Sequence, residues 1–374
     1  MKRIFIDPAV VNKPETIEIV SKIGAQTEAI CTSDQVFKHI RRAADPIKAG
    51  KETLYLTENK GRFIRGCPGT RHYECCRYMI LHVGTYCPMD CAYCILQTFF
   101  HPPLLQYFIN HEDMFSELDH FFKTTSYRRI GTGEYTDSLI WAQWTSLVER
   151  LVTRFGCQSQ VALELKTKTD LIGSLQHLDH NRKTILAWSL NSESVIRENE
   201  IDTAPLQARL EAARRCQEWG YPLAFHFDPI ILTDDAEDGY REVIHRLFDR
   251  IDPDNIVWIS LGTLRCMPSL KNIIHKRFPH SGIMYGEFIS GLDGKMRYFK
   301  PLRVKIYRKI VAWIRAMAPD VRLYFCMESE DVWEQVMGFR PEDDGGLSSL
   351  LDSRAIRKCN LHDSTTSTTI VHSK

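Results

Sequence analysis

The sequence predicts an α/β protein built on a partial (β/α)6 TIM-type barrel, set between an N-terminal and a C-terminal extension. Three observations predict it. Short β-rich runs ending in polar or small residues recur along the middle of the chain, amphipathic segments fill the intervals between them, and 374 residues suit one barrel-sized domain with additions.

The runs are RYMILHVG (77–84), YRRIGTGE (127–134), QVALELKTK (160–168), TILAWSLN (184–191), YPLAFHFDPI (221–230) and NIVWISLGTL (255–264). Between them, 112–123, 138–155, 204–218 and 236–250 carry apolar residues at helical spacing. Six strands with crossover helices imply a parallel sheet, with a doubly wound open sheet as the alternative. Residues 1–76 read as an N-terminal extension with a helix around 33–44, and residues 77–265 as the barrel. Residues 266–345 read as a C-terminal extension, with a basic helix near 301–317 and a further strand, VRLYFCM (321–327). The remainder, 346–374, ends in the polar DSTTSTTIVHSK and is expected to be a disordered tail.

Composition excludes the fibrous and disordered classes for most of the chain, with 44% hydrophobic and 25% charged residues. Lys and Arg total 48 against 47 Asp and Glu, so the net charge of +1 supplies no whole-molecule attraction for a polyanion. Any nucleic-acid surface must be local. MKRIFIDPAVV holds no signal-peptide apolar core and no run approaches a membrane span, so the cytoplasm is the expected location. Disulfides are rare there, so twelve cysteines argue for metal or cluster chemistry. Half of them, Cys67, Cys75, Cys76, Cys87, Cys91 and Cys94, fall in one short stretch.

Cys87, Cys91 and Cys94 are spaced C-x3-C-x2-C directly after a predicted strand, with Tyr93 beside the last. Three thiolates on one tight loop suit three irons of a [4Fe–4S] cubane and leave the fourth iron open. A zinc site closes with four N or S ligands on paired elements, which fits this loop poorly. Because barrel chemistry gathers at the carboxyl ends of strands, Glu134, Lys168, Asn191 and Asp228 are the other candidates.

Together CPMDCAYCILQTFF (87–100), GTGEYTDSL (131–139), TILAWSLNSESVI (184–196) and GYPLAFHFDPI with the following GYREVIHRLF (220–248) carry a resemblance. The chain resembles the radical S-adenosylmethionine (SAM) superfamily and, within it, the spore photoproduct lyase family, from about Cys67 to about Tyr307. The resemblance implies a radical SAM barrel and a lyase whose [4Fe–4S] cluster, on Cys87, Cys91 and Cys94, cleaves SAM to a 5′-deoxyadenosyl radical. It further implies repair of a thymine dimer in DNA and an electron donor such as a ferredoxin or flavodoxin. Carried over residue by residue, Glu134 in GTGE holds the SAM amino group through a charge-assisted hydrogen bond. Lys168 in KTKTD corresponds to a SAM-contacting lysine, with Lys166 on the same strand face as the open alternative. Ser189, Asn191 and Ser192 correspond to polar groups binding the methionine or ribose part, against a reading as strand-end caps.

One departure matters. The family carries a hydrogen-donating cysteine where this chain reads TGEYTD, and no cysteine occurs between Cys94 and Cys157. Glu134 stands at that place, and a carboxylate does not donate a hydrogen atom as a thiol does. Either another residue closes the cycle, with Tyr135 the catalytic candidate, or the substrate differs.

Three further groups stand out. Cys67, Cys75 and Cys76 read either as ligands of a second metal or as buried structural thiols, the second agreeing better with two adjacent cysteines. His226 and Asp228 alternate on one strand and so face the barrel interior together. Lys295, Arg297, Lys300, Arg303, Lys305, Arg308 and Lys309, interleaved with Tyr298 and Phe299, form either a phosphate-binding stripe for DNA or a solvated helix face. A non-catalytic iron–sulfur or zinc protein that binds DNA through this stripe is the rival of a different class.

Overall fold

A computed structural model of the chain describes residues 1–25, 27–70 and 72–363. Its centre is an eight-stranded sheet whose spatial order follows the sequence. The strands are β1 (Ile64–Gly66), β2 (Met79–Leu81), β3 (Arg129–Gly131), β4 (Ala162–Thr167), β5 (Thr184–Ser189), β6 (Leu223–Ile230), β7 (Ile256–Thr263) and β8 (Leu323–Phe325). All pairs are parallel except β1 with β2. Each of the six expected runs contains one strand, and VRLYFCM supplies β8. The sheet exceeds the expected six because β1 and β8 cover edges that would otherwise expose unpaired backbone.

The sheet is a barrel wall left open on one side. Beyond β1, the Glu74 N–H donates to the Glu328 carbonyl beyond β8 at 3.0 Å, so the two edges approach one another across a seam. Strands β4, β5 and β7 are buried along nearly their whole length, as a sheet covered on both faces requires. Helices Leu147–Gly156, Leu206–Glu218, Ala236–Phe248 and Lys300–Met317 cover the outer face, each turning an apolar stripe inward. Segment 138–155 is helical in two pieces, a 3-10 turn at Ile140–Gln143 and then Leu147–Gly156.

The N-terminal extension has a sheet of its own. Thr27–Ile30, Arg3–Ile6, Thr53–Thr57 and Leu105–Phe108 run parallel, and Gly84–Thr85 joins antiparallel. Two of these strands come from beyond residue 76, so that position is no structural boundary. Helix Pro46–Glu52 precedes the third strand and carries the buried Lys51 in its last turn. At the other end the expected tail is partly folded: Gly346–Lys358 is a helix with Leu347, Leu351 and Ala355 buried. Residues 364–374 of that expected tail lie outside the described residues. Among the described residues no helix is long and apolar enough to cross a membrane.

Candidate active site

The loop bearing Cys87, Cys91 and Cys94 leaves the end of β2 and is held on every side by buried polar contacts. Tyr86 enters it in the left-handed region at φ 70°, fully buried, its N–H donating to the Tyr135 carbonyl at 2.7 Å. A bulky residue pays about 1–2 kcal/mol for that conformation, which turns Cys87 out of the strand direction. Asp90–Cys91 then pairs antiparallel with Glu200–Ile201, and the Ala92 N–H donates to the Asn199 carbonyl at 2.8 Å. Gln97 donates to the carbonyls of Cys91 at 3.2 Å and Ala92 at 3.0 Å. Lys51 donates to the carbonyls of Cys87 and Met89, while Arg277 grips Asp90 with two bonds of 2.9 Å. Tyr93 donates its hydroxyl to Glu200, whose other oxygen receives the Arg209 guanidinium at 2.5 Å, and both members of that ion pair are buried. None of Lys51, Glu200, Arg209 or Arg277 is near the cysteines in sequence.

The three sulfurs suit a cluster better than a single ion. One tetrahedral zinc would draw its thiolates to about 3.8 Å of each other. Among the described residues the only trio of His, Cys or carboxylate ligand atoms lying within 4.8 Å of one another is Glu74, Glu330 and Glu342, so the cysteines are set wider. A cubane presents a separate iron to each thiolate and needs that wider spacing. Burial pushes the Cys87 thiol up to about 12, so its thiolate requires the positive charge of iron.

Beside the loop opens a cavity of about 300 Å³, lined by Cys87, Cys91 and Cys94 on one side and by the ends of β3, β4, β5 and β6 on others. Glu134 and Lys166 face each other across it, with Lys166 Nζ 3.0 Å from Glu134 Oε1. Burial acts against the Lys166 charge, but Glu134 and Glu164 outweigh it and raise its pKa. Asp137 takes hydrogen bonds from the Leu139 N–H at 3.0 Å, the Thr167 hydroxyl at 2.8 Å and the Lys168 N–H at 2.8 Å, which ties the β3 exit to the end of β4. Asp228 and Arg265 meet in a two-pronged pair at 3.0 and 2.9 Å, and both line the cavity. Below it, Glu164 accepts from Trp258 at 3.2 Å and sits 3.0 Å from His226 Nε2. Burial alone would push the Glu164 carboxyl up, and the His226 contact holds it down at about 2.

A family profile for spore photoproduct lyase matches residues 2–289, more than half of the chain. This chain belongs to the spore photoproduct lyase family. Among curated family members, the Bacillus subtilis spore photoproduct lyase is 29% identical over 210 residues, covering 54% of this chain and 61% of that one. The Geobacillus enzyme is 27% identical over 202 residues, covering 53% and 59%. The aligned part thus spans about three fifths of these relatives. A cysteine-to-alanine mutant of spore photoproduct lyase with dinucleoside spore photoproduct superposes with a TM-score of 0.77 at 22% identity, covering 87% of this chain and 98% of that one. A second mutant, with bound AdoMet and the same dinucleoside, superposes at 0.75. The radical SAM barrel fold is therefore shared.

Within this family fold the residues singled out from the sequence part company. Cys87, Cys91, Cys94, Glu134, Lys166, Lys168 and Ser189 all line the one cavity. The two lysines differ: Lys166 pairs with Glu134, whereas Lys168 lies over the Tyr93 ring, 5.7 Å from its centroid, on the cluster side. Asn191 is committed elsewhere, donating to the Pro229 carbonyl at 3.0 Å and accepting from the Tyr240 hydroxyl at 2.5 Å, and Ser192 caps helix Glu193–Asn199. Neither lines the cavity, because the chain turns into that helix directly after β5. Tyr135 is not among the residues lining the cavity: its ring stacks on Phe99 at 5.6 Å and meets His82 edge-on at 5.0 Å, while Glu134 and Thr136 on either side of it line the cavity.

The basic stripe is corrected, since it forms no single surface. Arg297 is buried against Asp293 and Arg303 against Glu328, Lys300 pairs with Asp331, and Lys305 and Lys309 both pair with Glu237. Helical rotation spreads the residues of Lys300–Met317 over different faces, where Lys300, Arg303, Lys305 and Lys309 meet acidic groups from other segments.

The Glu134 assignment is open to direct test. Glu134→Gln is expected to retain iron while weakening SAM binding by about 1.5–3 kcal/mol, the worth of a charged hydrogen bond, as read by equilibrium binding to the anaerobic protein. Unchanged affinity would rule Glu134 out as the amino-group ligand.

Proposed function

We propose that the chain is a cytoplasmic radical SAM lyase of the spore photoproduct lyase type, acting on a thymine lesion in DNA with a ferredoxin or flavodoxin as electron donor. The observation that supports it most is the convergence of the three loop cysteines, Glu134, Lys166 and Lys168 on one cavity at the carboxyl ends of the strands. Bound there, a [4Fe–4S] cluster and SAM supply a 5′-deoxyadenosyl radical. The residues of the chain hold and orient. Cys87, Cys91 and Cys94 ligate three irons, Glu134 takes the SAM amino group, and Lys168 and Ser189 contact its remaining polar atoms. Lys51, Gln97 and Arg277 fix the loop that would hold the cluster at the cavity wall. The Asp228–Arg265 pair places a guanidinium, held also by the Thr263 carbonyl and the Met327 sulfur, at the cavity wall. A base inside a duplex does not reach such a cavity, so the lesion leaves the stack, which costs less for damaged DNA.

A second reading keeps the chemistry and changes the substrate. It is favoured by the absence of a cysteine between Cys94 and Cys157 and by the Tyr135 ring lying off the cavity lining. Anaerobic incubation with dithionite, SAM and lesion-containing DNA, followed by product analysis, separates the two. Repaired thymines support the first; SAM cleavage with an untouched dimer, under conditions where a thiol-bearing relative repairs it, rejects it. Formation of no 5′-deoxyadenosine would reject both. Tyr135→Phe is expected to leave SAM cleavage and product yield unchanged, because its phenol does not border the reaction space. Slower repair or new side products in that variant would return Tyr135 to the donor role.

A further inference from the structure

The seam between the two sheet edges gathers four cysteines that the reading above does not use. Cys67 follows β1, Cys75 and Cys76 precede β2, and Cys326 follows β8, directly before Met327 at the cavity wall. The backbone bond between Glu74 and Glu328 brings these segments side by side although they lie at opposite ends of the strand order. The Cys67 N–H donates to the Tyr78 carbonyl at 2.8 Å, which folds the 67–78 loop back on itself. Within that loop the Cys75 sulfur lies 3.3 Å from where a Cβ on Gly69 would stand, so glycine at φ +56° makes room for it. All four thiols are free and partly buried.

The Cys75 sulfur receives the Arg77 backbone N–H at 3.4 Å. The backbone amides of Gly69 and Tyr78 favour negative charge on Cys67 and Cys76, as that of Met89 does on Cys87, the first cysteine of the loop motif. An amide N–H aimed at sulfur does little for a neutral thiol, which is a weak acceptor, and stabilises a thiolate held by a metal. Two of these donors follow left-handed backbone, Arg77 itself at φ 50° and Gly69 at φ 56°, so the loop is bent to present its amides. The adjacent Cys75 and Cys76 lie outside any strand and are therefore not forced to opposite faces. Electrostatically, Cys76 is a neighbour of Cys67, Cys75 and Cys326, which places it at the middle of the group.

From this arrangement we infer that Cys67, Cys75, Cys76 and Cys326 ligate a second iron–sulfur cluster, of the four-cysteine [4Fe–4S] kind, that closes the seam of the barrel. No three of these sulfurs come within 4.8 Å of one another, which disfavours one zinc ion. Such a cluster would lie at the cavity rim on the Met327 side and fasten the two sheet edges beside the Glu74–Glu328 backbone bond.

Iron counting on the full chain tests this without any assay of activity. After anaerobic reconstitution with ferrous iron and sulfide, the chain is expected to hold about eight irons, and the Cys87→Ala/Cys91→Ala/Cys94→Ala variant about four. Cys67→Ser and Cys326→Ser are each expected to return the otherwise unaltered chain to about four irons while the SAM-responsive signal of the first cluster persists. About four irons in the unaltered chain, zinc in place of iron in the triple variant, or a disulfide between any two of the four would overturn the assignment. Because the count on the unaltered chain is decisive alone, a variant that fails to fold does not shelter the inference. Failure here leaves the first cluster and the proposed function untouched.

Discussion

Replacing any one of Cys87, Cys91 or Cys94 by Ala is expected to abolish the electron paramagnetic resonance signal that responds to SAM in the reduced protein. The reason is the ligand count. An open-iron cubane takes one thiolate per ligated iron and has no protein ligand in reserve, and the polar groups bordering the three sulfurs, Lys168 and Asp137 among them, are a cation and a strand-tying carboxylate rather than a substitute thiol. The surrounding contacts sharpen the expectation. Lys51, Gln97 and Arg277 hold the loop through its carbonyls and Asp90, none of them through sulfur, so the loop should remain folded after a single substitution and the loss should be confined to the cluster. The measurement is the SAM-dependent change in the spectrum of each dithionite-reduced variant, which any iron held elsewhere in the chain does not imitate. Persistence of that change in all three would refute the ligand assignment.

Arg209→Met is expected to destabilise the fold by about 3–5 kcal/mol, the usual cost of leaving a buried charge without its partner. Arg209 has no solvent exposure and spends its guanidinium on Glu200 at 2.5 Å, Thr203 at 2.7 Å and the carbonyls of Ser189 and Ala204 at 2.8 Å each. Burial raises the Glu200 carboxyl, and Arg209, Lys168 and Tyr93 outweigh it, so its pKa lies below the ordinary value. In the wild type that lowering contributes stability above the unfolded carboxylate pKa, lost as pH falls through the folded pKa. Without Arg209 the balance reverses and the folded pKa rises. The deficit should then be largest at neutral pH and shrink on acidification, as protonation removes the stranded charge. Denaturant unfolding at several pH values reads this. The double variant Arg209→Met/Glu200→Gln should recover much of the loss, since it removes the charge and keeps an acceptor for Tyr93. A single variant as stable as wild type, or a deficit independent of pH, would show that the pair does not anchor the cluster loop.

Much of the barrel was legible in the residues because its cues are local. Runs such as TILAWSLN and NIVWISLGTL contain β5 and β7, since strands buried on both faces must be continuously apolar. The spacing of Lys166 and Lys168 told that they share one strand face, and the cysteine spacing told of the cluster, because both depend on a few neighbouring residues. What local pattern could not supply was the partner of each charged group. The basic residues of 295–309 read as one stripe, and four of them are matched by acidic residues from other segments. Lys51, Arg209 and Arg277 carry no mark in the sequence that ties them to Cys87, Cys91 and Cys94, because only the packing of the N-terminal sheet and the helices against the barrel brings them there. The same holds for Glu74 and Glu328, which sit at opposite ends of the strand order and meet because the sheet curls. Periodicity and spacing are set within a few residues of chain, whereas ion pairs and seams are set by distance in space, and that distance exists only once the sheet has closed upon itself.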